Sequence, residues 1–188
     1  MNEGIPLGMA GRYPGSERMD KPAADEPVLA DFPKKAHDHR HCVAEALQIA
    51  ETVCAERGQR LTDLRRRVLA LVWDRHQPVR AYDLLEQLRG EKRNAAPPTV
   101  YRALEFLLDN GLIHRIESLN AYVGCGAPHN AHAGQFLICR DCSAVAELDD
   151  PEIARSVTAR ARELGFRVQR QTIEVMGLCP DCGLDAGP

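Results

Sequence analysis

Four segments in the N-terminal half of the chain carry apolar residues at helical spacing. The first runs from Cys42 to Gly58, and glycine is common just beyond a helix C-terminus. The second begins after Thr62, a favourable N-cap residue, and Pro78 is expected to end it. The third is the short run AYDLLEQL. Three short helices are therefore expected before the fourth and most regular segment.

The fourth helix is predicted most sharply. Pro97 and Pro98 stand at its start, where missing N–H groups cost little, and Gly111 stands where a left-handed C-terminal cap belongs. One apolar stripe at helical spacing comprises Val100, Ala103, Leu104, Leu107 and Leu108. The exposed face of the first turn then carries Thr99, Tyr101 and Arg102.

Two strands joined by a tight turn follow this helix. The runs LIHRIES and AYVGC read as strands, with Leu119 and Asn120 at the turn between them. Short helices followed by a two-stranded wing are typical of a winged helix-turn-helix domain. In such a domain the N-terminal residues of the second helix of the pair contact base edges in the DNA major groove.

A different pattern begins at Gln135. The runs QFLIC and VAELD are short strands, PEIARSVTARARELG is a helix, and FRVQRQTIEVMGL alternates as a strand. A strand–strand–helix–strand unit of about 50 residues is too small to bury both of its faces alone. The C-terminal half is therefore expected to pair with a second copy and form a homodimer.

Charge is divided unevenly along the chain. The net charge of −3 by itself argues against nucleic acid. Residues 57–115, however, hold 12 basic and 7 acidic residues, a balance of +5, which leaves −8 for the rest. A basic half beside an acidic half is typical of a nucleic-acid-binding protein with a separate second module. We find neither a long apolar run nor a secretory signal, so we expect a cytosolic protein without membrane contact.

Cysteine spacing points to a metal. Seven cysteines in a cytosolic chain favour metal or redox chemistry over a disulfide framework. Four of them form two C-x-x-C pairs with 36 residues between the pairs: Cys139, Cys142, Cys179 and Cys182. Four thiolates with no open position describe a structural zinc, and a pair of redox disulfides is the alternative.

The predicted fold class is α+β. An N-terminal winged helix-turn-helix precedes a small C-terminal α/β dimerisation domain with a structural zinc. The expected boundaries are 1–40 for a disordered tail, 41–124 for the winged helix and 125–188 for dimerisation and metal binding. The tail is rich in Gly, Pro, Ala and charge and lacks a hydrophobic period.

One polar run near the end of this tail contains metal-binding residue types. The run HDHRHC contributes His37, His39, His41 and Cys42. This cluster could bind a metal, and the simpler interpretation is a solvated lead-in to the first helix or an opportunistic metal site.

A second set of candidate metal ligands has a less regular spacing. It comprises His114, Cys125, His129, His132 and Glu147. Thiol, imidazole and carboxylate are all zinc ligands. Each member also has an ordinary explanation as a strand surface residue, a buried thiol or a solvated acid, so the pattern alone leaves this site open.

Several segments resemble the ferric uptake regulator family. Residues 97–125, PPTVYRALEFLLDNGLIHRIESLNAYVGC, closely resemble the recognition helix and wing of its zinc-type members. LTDLRRRVL resembles the opening of the family's second helix, with Asp63 where proline is common, and AYDLLEQLR also matches. FLICRDC and GLCPDC match the dimerisation domain, so that the resemblance covers about residues 42–183.

The resemblance implies two zinc ions per subunit. The four-cysteine set matches the family's structural zinc, and the sensory zinc falls on His114, Cys125, His132 and Glu147. Cys125 decides the metal, because iron and peroxide sensors use mostly His and carboxylate while a thiolate favours zinc. His129 is a reserve ligand for a third, weaker site. The sensory ligands straddle the hinge between the halves, so one ion would fix the angle between them.

The resemblance also implies double-stranded operator DNA as the partner of a zinc-loaded homodimer that represses zinc-uptake genes. The expected DNA contacts are Arg102 at a purine edge, Tyr101 at a thymine methyl group or a phosphate, Thr99 and Tyr82 at phosphates, and Arg65 as a weaker candidate. The run Arg65–Arg67 equally fits a solvated basic face.

Glu86 and Arg89 match a surface pair that in the family can bridge adjacent dimers, which would place two dimers on one operator. Their spacing of three residues equally fits an ordinary pair on one helix.

Three other functions remain to be weighed. An iron- or peroxide-responsive regulator of the same family is the nearest, and Cys125 argues against it. A zinc hydrolase or deaminase is remote, because Glu147 as fourth ligand leaves no open position for water. A purely structural zinc module leaves the winged-helix half unexplained. We therefore expect a regulator and not an enzyme.

Overall fold

The computed structural model describes residues 28–32, 39–74, 77–91, 96–129 and 132–183. In chain order the elements are β1 (Val28–Ala30), α1 (His39–Glu56), α2 (Asp63–Trp73), α3 (Ala81–Gly90), α4 (Pro97–Asp109), β2 (Ile113–Ile116), β3 (Ala121–Gly124), β4 (Gly134–Cys139), β5 (Val145–Leu148), α5 (Pro151–Glu163), β6 (Thr172–Gly177) and α6 (Pro180–Gly183). Among the described residues no helix has both the length and the apolar character needed to span a membrane.

The first four helices share one aliphatic core. Its most deeply buried members include Val53, Val68, Leu69, Leu84, Leu88, Leu104 and Leu107. The stripe predicted for α4 is buried except for Leu108, which is partly exposed, and Gly111 has the predicted positive φ of 64°. Burying one large aliphatic side chain is worth about 1.5–3 kcal/mol. The core therefore holds α4 firmly while the opposite face of its first turn stays exposed.

The wing is the antiparallel pair β2–β3, with residues 117–120 as the turn. Asn120 closes that turn with a φ of 46°, a conformation that Asn tolerates better than most residues. Val79, just before α3, extends the wing through two backbone hydrogen bonds with Tyr122, of 2.9 and 2.8 Å. The helical half and the wing therefore form one unit, and the predicted winged helix is confirmed.

The C-terminal half is a four-stranded sheet in the order β1-β5-β4-β6. Strand β4 pairs antiparallel with β5 and parallel with β6, and α5 lies in the connection between β5 and β6. The predicted strand–strand–helix–strand unit is confirmed. Its last strand is shorter than the alternating run suggests and begins at Thr172.

A small apolar cluster joins the wing to this sheet. Ile116 and Val123 of the wing pack with Phe136 and Ile138 of β4, and all four side chains are buried. The two halves are thus in direct contact.

Three expectations need correction. Residues 28–30 are not disordered: they pair with β5, and the tail prediction failed because three apolar residues are too short a signal for an edge strand. Helix α2 ends at Trp73, before Pro78. Thr62 occupies the N-cap position of α2, but its side chain makes no capping hydrogen bond. Residues 1–27 and 33–38, including His37, lie outside the described part of the chain.

Gly124 at the end of β3 permits a close contact with Trp73. A Cβ atom at this position would lie 2.1 Å from Cε2 of the indole ring, far inside van der Waals contact. The glycine therefore lets the last residue of α2 pack against the wing.

We expect Gly124→Ala to lower the free energy of unfolding by about 1–3 kcal/mol, because the indole must be displaced from a packed position. Urea denaturation of the metal-loaded protein measures this. Gly90→Ala is the matched control, since nothing lies within 4 Å of its added Cβ; it should be neutral or stabilising by up to about 1 kcal/mol. Equal effects of the two substitutions would contradict the packing argument.

Candidate metal centres and recognition surface

The four cysteines of the two C-x-x-C pairs meet at one end of the sheet. Their sulfur atoms all lie within 4.8 Å of one another, and Cys142 Sγ is 3.7 Å from Cys179 Sγ. Cys139 ends β4, and its register partner Gly177 ends the parallel strand β6. The parallel pairing therefore delivers both pairs to the same place.

Local backbone bonds shape each cysteine turn. Ser143 N–H donates to the carbonyl of Cys139 at 3.0 Å, with Ser143 at a positive φ of 59°. Gly183 N–H donates to the carbonyl of Cys179 at 2.8 Å. These turns aim each pair of sulfurs inward, which is how a C-x-x-C sequence presents two thiolates to one ion.

The acidities within this cluster are split. Backbone N–H groups of Cys142 and Cys179 lower the pKa of Cys139 to about 6. Hydrogen bonding to Cys179 and Cys142 raises the pKa of Cys182. Four adjacent thiols cannot all ionise unless a cation compensates their charge. The donor set fits zinc, which takes four thiolates in closed structural sites.

The second cluster joins His114, Cys125, His132 and Glu147, whose ligand atoms also lie within 4.8 Å of one another. Oε1 of Glu147 lies 2.7 Å from Nε2 of His114 and 2.8 Å from Nε2 of His132. The two Nε2 atoms are 3.2 Å apart, and Cys125 Sγ is 3.7 Å from Nε2 of His132. Four ligand atoms therefore converge on one point.

This convergence suits a cation better than a proton. Two protonated Nε2 atoms only 3.2 Å apart would repel, whereas two lone pairs aimed at one ion would not. Burial, followed by the charge of Glu147, raises the pKa of Cys125 to about 12. Burial alone would raise the pKa of Glu147, but its contacts with His114, Gly126 N–H and His132 hold it below the usual value. A thiol, two imidazoles and a buried carboxylate fit zinc.

The ligands come from both halves of the molecule. His114 lies on β2 of the wing and Cys125 directly follows β3, while His132 precedes β4 and Glu147 lies on β5. Cys125 N–H is anchored to the carbonyl of Leu112 at 3.2 Å. A cation here would tie the wing to the C-terminal sheet.

Other candidate ligands stay apart. His129 is exposed and belongs to neither four-residue cluster of the described chain. His41 is exposed on α1 and Cys42 is half-buried. Neither joins those clusters.

The predicted recognition face is open to solvent. Thr99, Tyr101 and Arg102 are exposed at the start of α4, and Tyr101 is 52% exposed. Tyr82, on α3, is 63% exposed, and a hydrogen bond with Glu86 raises its pKa. These side chains are available to an outside partner.

Comparison with known proteins places the chain in a family. Residues 56–176 match the ferric uptake regulator family. The zinc uptake regulation protein of Escherichia coli (strain K12) is 41% identical over 139 residues, which span 73% of this chain and 81% of that protein. This chain belongs to the ferric uptake regulator family.

Two solved structures of similar fold extend the comparison. Holo XcZur is 46% identical, with a TM-score of 0.70 over 74% of this chain and 98% of that chain. A zinc uptake regulator complexed with zinc and DNA is 37% identical, with a TM-score of 0.71 over 81% and 100%. Since both matches span nearly all of the other chain, the placement of winged helix and sheet is similar to that of a relative bound to zinc and DNA.

The basic run of α2 is only partly exposed, and its side chains contact neighbouring elements. The guanidinium of Arg65 stacks on Phe106 of α4, 3.4 Å from the ring centroid, and donates to the carbonyl of Arg60 at 2.7 Å. Arg66 pairs with Glu51, and Arg67 binds both carboxylate oxygens of Glu91. These arginines join helices within the domain.

Two contributors to the mixed cluster were not predicted from sequence. Gly126 N–H donates to Oε2 of Glu147 at 2.8 Å and so orients the carboxylate. Its missing Cβ also admits Leu29 of β1, whose carbonyl oxygen would lie 2.6 Å from that atom. The ring of Phe136 packs edge-on against His114 with centroids 5.2 Å apart. The position of Gly126 directly after the ligand Cys125 was the signal in the sequence that could have predicted its role.

We expect Arg65→Ala to lower the free energy of unfolding by about 1–2 kcal/mol, through loss of the cation–π contact and one hydrogen bond. Urea denaturation of the zinc-loaded protein measures this. Arg102→Ala, at an exposed position, should stay within about 0.5 kcal/mol of the wild type. If Arg65→Ala is silent for stability but reduces the salt dependence of DNA binding, Arg65 is a phosphate contact instead.

Proposed function

We propose that this chain is a zinc-responsive transcriptional repressor whose zinc-loaded homodimer binds palindromic operator DNA and shuts off zinc-uptake genes. The observation that carries the proposal is the convergence of one cysteine, two histidines and one glutamate from both halves on a single point. The similarity to zinc uptake regulators, one of them complexed with zinc and DNA, supports it.

The thiol of Cys125 favours zinc over iron or manganese as the signal. Hard carboxylate and imidazole donors suit iron and manganese, whereas a thiolate shifts preference towards zinc. An iron- or peroxide-responsive regulator is the alternative within the family. Four donor residues fill a tetrahedral zinc site and leave no position for a reacting water, and the chain belongs to a family of regulators rather than enzymes.

The charges of the ligands explain why the docked arrangement depends on a cation. Zinc held by His114, Cys125, His132 and Glu147 would supply the positive charge that this buried cluster lacks. Without it, burial and the charge of Glu147 raise the pKa of Cys125 to about 12 and keep the thiol protonated, so the ligand atoms have no ion to share. Preferential binding to the docked arrangement then shifts the population towards it.

We assign two ions to each subunit, one to the four cysteines and one to the mixed cluster. The four-cysteine site lies entirely within the C-terminal half, so its role is to hold the chain end onto the sheet. His129 stands outside both clusters, and we place no third ion on it.

The surface of the C-terminal half supports a homodimer. Helix α5 has no buried residue, although Ile153 and Val157 lie on it, and β6 is a sheet edge with Val175 and Met176 exposed. Nearby Phe166 is also 65% exposed. Exposed apolar side chains and an open strand edge are what a second copy would cover.

Recognition is assigned to the first turn of α4. Arg102 reads a purine edge, Tyr101 makes a thymine-methyl or phosphate contact, and Thr99 and Tyr82 bind phosphates. Two dimers on one operator would be joined by Glu86, which also bonds Tyr82, and Arg89 of the adjacent dimer.

The first experiment measures metal selectivity. Fluorescence anisotropy with a palindromic duplex from a zinc-importer promoter, at buffered free zinc, iron(II) or manganese(II), should show tight binding with zinc alone at very low free concentration. Cys125→Ser should abolish zinc-dependent binding, because a hydroxyl is a far poorer zinc ligand than a thiolate. Cys42→Ser, a cysteine outside both clusters, is the control. Equal activation by iron or manganese would overturn the choice of metal.

Arg102→Ala should weaken binding to the same duplex by about 1–3 kcal/mol and relax sequence preference, because a base-edge contact is lost. Competition with single-base variants of the duplex measures the preference. A uniform loss of affinity with preference unchanged would instead assign Arg102 to a phosphate.

A further inference from the structure

The wing turn is gripped by a carboxylate that belongs to neither metal cluster. Glu174 on β6 accepts the backbone N–H of Glu117 at 2.6 Å and that of Ser118 at 3.1 Å, one on each carboxylate oxygen. The donors are consecutive residues of the turn between β2 and β3, 57 and 56 residues away in sequence. One side chain of the C-terminal half therefore holds two adjacent backbone groups of the DNA-binding half.

The charge of Glu174 strengthens this grip. Burial alone would raise the pKa of Glu174, but bonds from the hydroxyl of Ser118 and the two N–H groups hold it below the usual value. The carboxylate is thus ionised at neutral pH, and its hydrogen bonds are charge-assisted. Nε of Arg115 lies 3.2 Å from Oε2 of Glu117. The side-chain carboxylate of Glu117 is therefore paired with Arg115 rather than with Glu174.

Glu174 also shares a row with the mixed metal cluster. Phe136 on β4 pairs in register with Glu147 of β5 on one side and with Glu174 of β6 on the other. Directly paired residues project from the same face of a sheet. All three contact the wing: Glu147 meets His114, Phe136 packs on His114 and the apolar cluster, and Glu174 holds the turn.

This row attaches the wing at two separated points. Neighbouring strands are about 4.8 Å apart, so the carboxylates on either side of Phe136 stand about two strand spacings apart. A single attachment at the metal cluster would leave the wing free to pivot about that point. A second, charge-assisted attachment at the turn removes this rotation.

We propose that Glu174 is a positioning residue for DNA binding, acting through its two bonds to the wing turn. The inference rests on the proposed function and deepens it. The metal cluster brings the halves together, and Glu174 fixes the orientation in which the wing and the adjoining α4 are presented to DNA. It touches no metal cluster residue in this role and needs no contact with DNA.

The test uses the full-length, zinc-loaded chain with Glu174→Ala and Glu174→Gln. The glutamine keeps one acceptor oxygen and loses the charge, so its effect should be the smaller. Glu56→Gln is the matched control, because it removes the same charge at an exposed position at the end of α1. Zinc content and dimer mass should be unchanged in all three variants.

Two readouts separate positioning from general stability. Affinity for the promoter duplex at saturating zinc should fall about ten-fold in Glu174→Ala, the scale of a lost charge-assisted hydrogen bond. Affinity for a non-specific duplex should stay equal or rise, because removing an acid favours phosphate contact. In free protein, amide exchange at residues 117 and 118 should accelerate while exchange in the helical core stays slow.

The outcomes distinguish this inference from the proposed function. If the wild-type chain binds the promoter duplex with zinc but both variants bind as tightly as Glu56→Gln, the positioning role is overturned and the proposed function stands. Unchanged exchange at residues 117 and 118 overturns the role as well. If the wild-type chain shows no zinc-dependent binding, the proposed function is overturned, and the role of Glu174 in DNA binding with it.

Discussion

The structure depends on the contact between the wing and one face of the C-terminal sheet. Ile116 and Val123 bury themselves against Phe136 and Ile138, and this small apolar cluster is the only hydrophobic core shared by the two halves among the described residues. Four such side chains give modest stabilisation, less than the core that holds the four helices together. The orientation of the halves is therefore the part of the molecule most easily altered by a few polar contacts at the edges of the cluster.

Those polar contacts respond to different conditions. The mixed cluster buries a glutamate beside a cysteine whose thiolate form that glutamate disfavours, so a cation is needed before the thiolate can form there. The four-cysteine cluster has the same need, but all its ligands lie on β4, α6 and the turns beside them. The four-cysteine site takes its ligands from the C-terminal half alone, although the carbonyl of Cys142 accepts a hydrogen bond from Gln77 Nε2 at 3.5 Å. Of the two clusters, only the mixed one takes its ligands from both halves, and the sensory role is proposed for it on that ground.

Local signals in the sequence predicted most of the fold. Apolar periodicity located all four N-terminal helices, and the spacing of Cys139, Cys142, Cys179 and Cys182 brought out one cluster, because both depend on residues close in sequence or on a short motif. The spacing of residues alone left the ligands of the mixed cluster undecided, and only the family resemblance predicted them. Strand β1 and the contacts of Arg65 depend on residues distant in sequence. Neither three apolar residues nor a single arginine indicates locally which residues it will contact.

The arginines of α2 show how tertiary contacts change a charge argument. A positive balance of +5 over residues 57–115 suggests broad attraction to phosphate, yet Arg65, Arg66 and Arg67 are engaged with Phe106, Glu51 and Glu91. Their charges still contribute to the electrostatic potential of the surface, but their guanidinium groups are already engaged in contacts within the domain. Affinity must then depend more on the exposed first turn of α4, whose position follows from how the wing is docked. In a protein arranged in this way DNA binding is sensitive to the angle between the halves, which is the quantity that an ion in the mixed cluster would fix under the proposed function.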